Sequence, residues 1–397
     1  MTAYLNALGL VCALGQGQAE VAARLFAGDC SGMQPAPGWI PERRPPIGAV
    51  PGALPGVPLA DQHSRNNQLL YAAALQIEQA IRQAIAKHGA QRIAVIIGTS
   101  TSGIAEASDG IAQYLQRGTF PAEYHYAQQE LSAPANFLAD WLQLSGPSYV
   151  ISTACTSSGR ALLSARRLLD LGLCDAVLCG GVDSLCGLTL NGFSALEAVS
   201  EQRCNPFSVN RDGINIGEAA ALFLMTRERN TEGASIALLG AGASSDAHHI
   251  SAPDPTGAGA LQCMGKALDN AGLAPAQIDY LNLHGTATAH NDAMESLAVR
   301  HLFDATLPCS SSKPMTGHTL GAAGALEAAF CWLSLSEHNR QGRLPPHVWD
   351  CQQDPALPPL ALVDGKQRLP SQGPRRLMSN SFAFGGNNVS LILGDTA

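Results

Sequence analysis

The sequence predicts an α/β fold in which helices cover both faces of a buried sheet. Residues 92–98 and 175–181 each begin with one charged residue, continue as an apolar run and end in glycine, as expected of strands buried on both faces. Residues 65–88 place alanine and leucine at helical spacing, and we predict one helix there. Apolar strands that alternate with such helices are typical of an α/β core.

The other elements can be taken in chain order. Residues 1–10 lack a basic start and predict a first strand and turn, not a signal peptide. Residues 32–60 contain eight prolines and predict an irregular surface segment. Residues 149–152 and 278–283 are further apolar strands, and each leads into a segment with a reactive side chain. No apolar run is long enough to cross a bilayer, so we predict no membrane insertion.

The composition restricts the classes of function. The chain has 397 residues, enough for two domains or one duplicated unit, and 46% are hydrophobic but only 14% charged. These values argue against disorder and favour small-residue helices buried in an oligomer. The net charge of −8 argues against nucleic-acid binding. Eleven cysteines without a C-x-x-C pair indicate reduced thiols, and we predict a cytoplasmic protein.

A short pattern occurs twice. Residues 153–156 read Thr-Ala-Cys-Thr and residues 316–319 read Thr-Gly-His-Thr, and a small-residue helical segment follows each. A chance match is the alternative. If the echo is real, it predicts two related halves, each with a reactive side chain at a helix N-terminus. We place the cysteine half at residues 1–240 and the half with two histidines and a lysine at 241–397.

Cys155 is the candidate nucleophile, because it follows a strand and precedes a helix. Helix N–H groups and the helix dipole favour a thiolate there. A thiolate can accept an acyl group from a thioester and keep the carbonyl activated for a second attack. The alternative is a buried, inert cysteine.

His284, His318 and Lys313 complete the reactive set. Two neutral imidazoles can donate hydrogen bonds to a developing oxyanion, and a lysine can orient them or stabilise negative charge. Solvent exposure or a local structural role is the alternative for each of them. We set a catalytic zinc site aside, because the sequence shows no third soft ligand at a suitable spacing from the two histidines.

Four motifs, at residues 152–158, 283–288, 312–318 and 380–388, together resemble the β-ketoacyl–acyl-carrier-protein synthases, and the resemblance runs from about residue 1 to 394. It implies the thiolase-like fold, with two pseudo-symmetric halves in a five-layered α-β-α-β-α stack. A Cys–His–His set with a lysine is similar to the elongating members. Starter-type members pair Cys with His and Asn, and thiolases use a second cysteine.

The resemblance also implies roles. Cys155 would carry the acyl chain, while His284 and His318 would bind the malonyl thioester carbonyl and promote decarboxylation, supported by Lys313. The backbone N–H groups of Cys155 and Phe384 would form the oxyanion hole for acyl transfer.

Further residues match the family's substrate pocket. Phe384 would gate the acyl pocket and Phe193 would line it, although each is equally suited to an ordinary core or turn. Thr286 and Thr288 would hydrogen-bond the phosphopantetheine arm, with local turn capping as the alternative. Five residues match positions around a buried monovalent cation, or around a hydrogen-bond network without an ion: Asn282, Glu295, Glu327, Ser379 and Asn380.

The chain departs from the family pattern near the gate. Ala383 stands in place of the usual glycine, Asn387 in place of threonine, and Ala289 where proline is more usual. Few basic residues lie on the helix that begins near Arg65, where relatives dock acidic carrier protein. These departures favour a specialised pathway of polyene type over membrane fatty acids. Four residues are candidates for carrier docking, with exposed surface charge as the alternative: Arg43, Arg44, Arg65 and Arg211.

The resemblance therefore predicts an elongating synthase that works with acyl carrier protein. The phosphopantetheine arm arrives with the substrate, and no nicotinamide, flavin or catalytic metal is implied. We expect a homodimer, or a heterodimer with a paralogue or chain-length factor. One rival interpretation is a chain-length-determining partner of another synthase. The other is a thioester hydrolase or acyltransferase that uses the same cysteine.

Overall fold

The computed structural model describes residues 2–229 and 236–395. The strands are β1 (Ala3–Cys12), β2 (Gly15–Gln16), β3 (Met33–Pro35), β4 (Pro46–Gly48), β5 (Ile93–Gly98), β6 (Ser148–Ile151), β7 (Ala176–Asp183), β8 (Ala219–Thr226), β9 (Ile236–Ser245), β10 (Tyr280–Asn282), β11 (Pro308–Ser310), β12 (Ala361–Leu362), β13 (Arg376–Phe382) and β14 (Asn387–Asp395). The helices are α1 (Gln18–Ala27), α2 (Arg65–Leu75), α3 (Glu78–His88), α4 (Ile104–Arg117), α5 (Ala133–Leu142), α6 (Ser157–Asp170), α7 (Gly187–Ala195), α8 (Ala258–Ala271), α9 (Ala289–Leu302), α10 (Lys313–Thr316) and α11 (Ala323–Leu335).

The main sheet consists of two units with the same internal arrangement. The strand order is β12-β11-β10-β13-β14-β9-β1-β8-β7-β5-β6, with β2 added to β1. In the unit β6-β5-β7-β8-β1, the first three strands are parallel and the last two pair antiparallel. The unit β11-β10-β13-β14-β9 repeats this pattern. Within the described residues, strands of the two units pair only where residues 3–4 meet residues 237–238.

The helices form three layers around these units. Helices α2 and α5 pack on the outer face of the first unit, and α8 packs on the outer face of the second. Helices α6 and α11 contact strands of both units and each other, so they form the central layer. The result is the predicted α-β-α-β-α stack of an α/β protein. The division at residue 240 stays a prediction; that residue lies within β9.

The two central helices cross without intervening side chains. A Cβ on Gly324 would lie 2.7 Å from the backbone nitrogen of Gly159, and a Cβ on Gly159 would lie 2.6 Å from Cγ1 of Val389, so neither position has room for a larger residue. The Ala325 amide also donates to the Ser158 hydroxyl at 2.9 Å. This close approach brings together the segments that precede α6 and α11, which carry Cys155 and His318.

Two local predictions were wrong. Residues 65–88 form two helices, α2 and α3, because the Gln76 side chain bonds both the N–H and the C=O of Leu10 at 3.0 Å and ends α2. The echo is also less exact than predicted. Helix α6 begins two residues after Cys155, whereas a short 3₁₀ turn separates His318 from α11.

Within the described ranges, no helix combines the length and apolar character needed to cross a membrane. All eleven cysteines are free thiols.

Candidate active site

Cys155 lies in a tight turn between β6 and α6. Ala154 has a φ of 51°, and the Thr153 amide donates to the Ser157 hydroxyl at 2.9 Å, so the turn is closed on itself. The thiol side chain is nearly inaccessible, with 7% of Cys155 exposed. The nucleophile therefore sits on a rigid support at the end of a strand, as the sequence predicted.

His318 reaches this thiol from the other half of the chain. Its Nε2 lies 3.0 Å from Sγ of Cys155. Its backbone is fixed by two bonds: its N–H donates to the Asn215 carbonyl at 2.7 Å, and its C=O accepts from Gly217 at 3.0 Å. Its Nδ1 is buried and has no hydrogen-bond partner among the described residues. The ring is thus placed mainly by its backbone.

His284 follows β10 and completes the trio. Its ring centroid is 5.2 Å from that of His318, and the planes are nearly perpendicular. The carboxylate of Glu295 accepts the amides of His284 and Gly285 at 2.8 and 2.7 Å, which fixes the turn. One ligand atom each from Cys155, His284 and His318 lie within 4.8 Å of one another. The structure therefore brings the predicted sulfur and both imidazoles into one chamber.

Lys313 lies behind His284, away from the sulfur. Its Nζ is 2.6 Å from Oε1 of Glu327 and 3.4 Å from Nδ1 of His284, and it also donates to the His284 carbonyl. Lys313 and Glu327 are both almost fully buried. The ammonium is therefore neutralised by Glu327 while it contacts His284.

Burial sets the protonation states of this site. Desolvation, followed by the charge of Lys313, lowers the pKa of His284 and of His318 well below the usual value, so both imidazoles are neutral. Desolvation raises the pKa of the Cys155 thiol to about 12, although Lys313 opposes this. Burial therefore opposes the thiolate that the helix end is predicted to favour. Since His318 Nε2 lies beside Sγ, it is placed to accept the thiol proton.

The prediction that the two histidines lack a third soft ligand also needs correction. Cys155 is the third soft ligand that the spacing did not show, because folding places it beside both histidines. Three Cys and His ligands of this kind match the donor set of zinc sites. The ammonium of Lys313, 3.4 Å from one imidazole, opposes a divalent cation there.

A cavity of about 580 Å³ opens from the reactive trio to the surface. Phe193, Phe384, Thr286 and Thr288 all line it, as the sequence predicted for substrate contacts. The rings of Phe193 and Phe384 are 5.6 Å apart, and the hydroxyls of Thr286 and Thr288 are 2.9 Å apart. Their proposed roles remain predictions. Three further residues that line the cavity were not predicted from the sequence, since isolated His and Phe residues give no local signal. They are His249, His290 and Phe382.

The predicted gate is a glycine turn that is tied to a second loop. Gly385 and Gly386 have φ values of 80° and 78°, which residues with a side chain rarely adopt. The Gly385 amide donates to the Ile250 carbonyl at 2.8 Å, and the Gly386 carbonyl accepts from Asp246 at 2.8 Å. Asn387, one of the departures from the family pattern, accepts from Arg160 at 3.3 Å.

The five residues of the predicted cation site are all buried. Asn282 and Ser379 are register partners on β10 and β13. Both polar side-chain atoms of Asn282, Ser379 Oγ and Glu327 Oε2 lack a hydrogen-bond partner in the described part of the chain. Asn380 is already paired with Ser390 at 2.7 Å. Orphaned oxygens beside a carboxylate fit either a monovalent cation or an ordered water.

The four arginines considered for carrier docking differ in their surroundings. Arg65 pairs with buried Glu218 at 2.5 Å, and Arg211 pairs with Asp354 at 2.5 Å and lines the cavity mouth. Arg43 pairs with Glu201, donates to Ser194 at 2.6 Å and donates to the Val199 carbonyl at 2.8 Å. Arg44 is exposed. Arg65 and Arg211 thus have structural partners of their own.

Family models match most of the chain. The model described as "Beta-ketoacyl synthase, N-terminal domain" matches residues 59–231, and "Beta-ketoacyl synthase, C-terminal domain" matches residues 236–348. The two matches meet near the start of β9, where the second strand unit begins.

Individual relatives carry the same name in several organisms. The chain is 34% identical to 3-oxoacyl-[acyl-carrier-protein] synthase 2 of Rhizobium meliloti, over 75% of this chain and 73% of that protein. It is 37% identical to the mitochondrial 3-oxoacyl-[acyl-carrier-protein] synthase of Arabidopsis thaliana, over 62% of this chain but only 56% of that protein.

One solved structure is similar over the whole chain. It contains a ketosynthase in complex with its chain length factor from Xenorhabdus doucetiae. The matched chain has a TM-score of 0.93 and 47% identity, covering 100% of this chain and 98% of that chain.

Proposed function

The chain belongs to the β-ketoacyl synthase family, and from this premise we propose that it is an elongating β-ketoacyl-[acyl-carrier-protein] synthase. It transfers an acyl chain from carrier protein to Cys155, decarboxylates malonyl-carrier protein, and releases a β-ketoacyl chain two carbons longer. The observation that carries this proposal is the placement of Cys155 Sγ, His284 and His318 within 4.8 Å of one another.

The first half-reaction is acyl transfer. Sγ of Cys155 attacks the thioester carbonyl, and the bond to the phosphopantetheine sulfur breaks. The thiol proton passes to Nε2 of His318, 3.0 Å away, and then to the departing thiol. Because burial raises the pKa of the Cys155 thiol to about 12, an adjacent proton acceptor assists the attack.

The second half-reaction needs an enolate. When malonyl-carrier protein loses carbon dioxide, negative charge develops on the thioester oxygen. Lys313 has only donors, so Nδ1 of His284 must accept, and the neutral ring carries its proton on Nε2. This N–H can donate to the enolate oxygen, and a neutral ring costs no deprotonation. The enolate carbon then attacks the acyl carbonyl, and Cys155 leaves as thiolate.

Two variants separate these steps. Cys155→Ala should abolish acyl transfer but leave decarboxylation of malonyl-carrier protein detectable. His284→Ala should retain acylation of Cys155 and slow decarboxylation by about a hundredfold or more. Mass spectrometry of the Cys155 adduct and carbon dioxide release measure the two steps. Elongation retained by Cys155→Ala would overturn the proposal, and free acid formed without carbon dioxide release would indicate a thioester hydrolase instead.

We propose that the partners are acyl carrier protein and a second synthase-type subunit. The sheet ends at β6, whose residues 149–151 are apolar but only half-buried. Helix α4 and the segment after it also expose apolar side chains, namely Ile111, Tyr114, Leu115, Phe120 and Tyr126. An open strand edge and exposed apolar side chains are each a usual sign of a covered interface. The partner is a second copy of the chain or a paralogue.

The second candidate function is a chain-length-determining subunit. It is favoured by the similarity to a chain from a ketosynthase and chain length factor complex. The reactive trio and Lys313 support the catalytic role over this one. Acylation assays on the chain alone and with its co-purified paralogue distinguish them. A catalytic subunit becomes acylated at Cys155 in the complex, whereas a length-determining subunit stays unmodified while its partner is acylated.

Other parts of the proposal concern cofactors, location and pathway. The phosphopantetheine arm on the carrier is the only organic group the reaction needs. The orphaned atoms around Asn282 support a structural monovalent cation that would not take part in the chemistry. Eleven free cysteines support a cytoplasmic location. Ala383 and Asn387 in the gate favour a polyketide pathway of polyene type over fatty acid synthesis. Mass spectrometry of the chains accepted on Cys155 tests the pathway.

A further inference from the structure

Asp183 ends β7, and its carboxylate is fully buried beside the active site. Oδ1 accepts from the Thr99 hydroxyl at 2.6 Å, the Ser100 amide at 2.7 Å, and the Thr101 amide and hydroxyl at 3.0 and 2.9 Å. Oδ2 accepts from the Gly321 amide at 2.5 Å and from the Ser100 hydroxyl. A carboxylate with donors from two distant segments is a junction between them.

The junction joins the two halves next to the reactive pair. Strands β5, β6 and β7 are parallel, so Thr99, Cys155 and Asp183 lie at the same edge of the sheet. Gly321 lies in the half of the chain that contains the second strand unit, three residues after His318. A Cβ on Gly321 would lie 2.7 Å from Oδ2 of Asp183, so the contact is already close.

The orientation of the His318 ring depends on this junction more than the orientation of the His284 ring does. Lys313 contacts Nδ1 of His284, whereas Nδ1 of His318 has no partner in the described residues. The ring of His318 is therefore oriented by its backbone. After His318 the chain passes through Leu320 at a φ of 50°, a left-handed conformation that is strained for a residue with a side chain. The bond from the next residue, Gly321, to Asp183 holds that turn in place.

We infer that Asp183 is a positioning residue for proton transfer from Cys155 to His318. It fixes the turn at residues 319–321 and so keeps Nε2 of His318 within reach of Sγ. Asp183 does not touch the acyl chain or the thiol. The inference rests on the proposed function only in treating this proton transfer as a catalytic step, because the geometry of Cys155 and His318 is observed directly.

The test measures thiol reactivity, which needs neither carrier protein nor malonyl substrate. The rate of alkylation of Cys155 by iodoacetamide is followed on the full chain by mass spectrometry of the Cys155 peptide. Asp183→Asn keeps the size of the side chain but replaces one accepting oxygen with an NH₂ group. In one orientation this NH₂ faces the N–H of Gly321, and in the flipped orientation it faces the donors to Oδ1. Loss of the Asp183 charge alone would lower the pKa of the Cys155 thiol and speed alkylation, so the slowing by about tenfold that we expect reports a displaced His318. Gly321→Ala, which presses on the same contact from the other side, should act in the same direction.

A double-mutant cycle separates positioning from general destabilisation. In a His318→Ala background, Asp183→Asn should produce no further slowing, whereas in a His284→Ala background the full tenfold effect should remain. Asp279→Asn is the control. Asp279 accepts the Arg376 amide at 2.7 Å just before β10, at the opposite end of that strand from His284, and its loss should leave the rate unchanged.

Three outcomes would overturn the inference. These are an additive effect in the His318→Ala background, unchanged alkylation by both Asp183→Asn and Gly321→Ala, or equal slowing by Asp279→Asn. Circular dichroism establishes that each variant is folded at the assay temperature, and Gly321→Ala carries the test if Asp183→Asn does not fold. A positive cycle together with absent condensation would count against the proposed function and leave the positioning role intact.

Discussion

Lys313 and Glu327 form an ion pair of 2.6 Å in which only 1% and 3% of the two side chains are exposed. A buried charge is stable only with its partner, since desolvation of either ion alone is costly. The pair allows a positive charge to stand beside His284, where it adds to burial in lowering the pKa of the imidazole. This ion pair therefore supports both the stability of the folded protein and the decarboxylation step at His284.

Lys313→Ala should destabilise the protein by about 3–5 kcal/mol, because it leaves Glu327 buried and unpaired. Lys313→Met combined with Glu327→Gln removes both charges at similar volume and should recover most of that loss in urea unfolding. Decarboxylation should stay low in both proteins, because His284 has lost its Lys313 contact. Recovery of decarboxylation in the double variant would show that Lys313 acts only on stability.

Stability should fall as the pH rises from about 4.5 to 7, owing to Glu295. Burial raises the pKa of this carboxyl to about 7, so the folded state holds a proton that the unfolded state has released. The unfolded state binds fewer protons in this window, and Glu295 should make the protein about 3 kcal/mol less stable at pH 8 than at pH 4.5. Urea unfolding at fixed protein concentration measures this difference.

The matched variant for this pH effect is Glu295→Gln, which cannot titrate. It should be less stable overall, because an amide cannot accept both backbone N–H groups at residues 284 and 285. The part of the pH dependence assigned to Glu295 should disappear. An identical slope in the variant would assign the pH effect to other groups, such as Asp292, whose pKa burial raises to about 6.

Gly385→Ala should slow acyl transfer, because it stiffens the turn that carries Phe384. Gly373 offers a matched control, since its φ of 82° is close to the 80° of Gly385 and nothing lies within 4 Å of its missing Cβ. Both substitutions should cost about 1 kcal/mol of stability through backbone strain. Only Gly385→Ala should lower the rate of Cys155 acylation, measured by mass spectrometry. Equal acylation rates would show that the turn does not need to move.

Substitution of Arg65 should change stability, whereas substitution of Arg44 should change carrier binding. Arg65→Ala leaves Glu218 buried without its ion-pair partner and should cost about 3 kcal/mol of stability. Arg44→Ala should leave stability unchanged, because the side chain is exposed, and should raise the KM for acyl-carrier protein if the residue docks it. Differential scanning calorimetry and acylation kinetics check the two outcomes. A normal melting temperature for Arg65→Ala would contradict the assigned structural role.

The sequence alone located Cys155, His284, His318 and Lys313, because each lies in a short motif of small residues that carries its own chemical signal. It also predicted strands at residues 92–98 and 175–181, which the structure has at Ile93–Gly98 and Ala176–Asp183, because apolar runs identify buried strands without tertiary information.

Properties that depend on long-range contacts could not be predicted in the same way. The break after α2 results from Gln76 meeting Leu10, which is 66 residues away. The raised pKa of Cys155 reflects burial by both halves, which no local pattern reports. Asp183 gave only a faint signal, as a charged residue that ends an apolar strand, and its partner Gly321 is 138 residues distant.

The crossing of α6 and α11 at Gly159 and Gly324 limits how the protein can diverge. A methyl group on Gly324 would press on the backbone of Gly159, and one on Gly159 would press on Val389 of β14, so neither half can enlarge at this point without moving the other. A duplicated ancestor would have passed this restriction to both copies. Both positions are therefore expected to keep glycine, in the half that bears Cys155 and in the half that bears His318 alike.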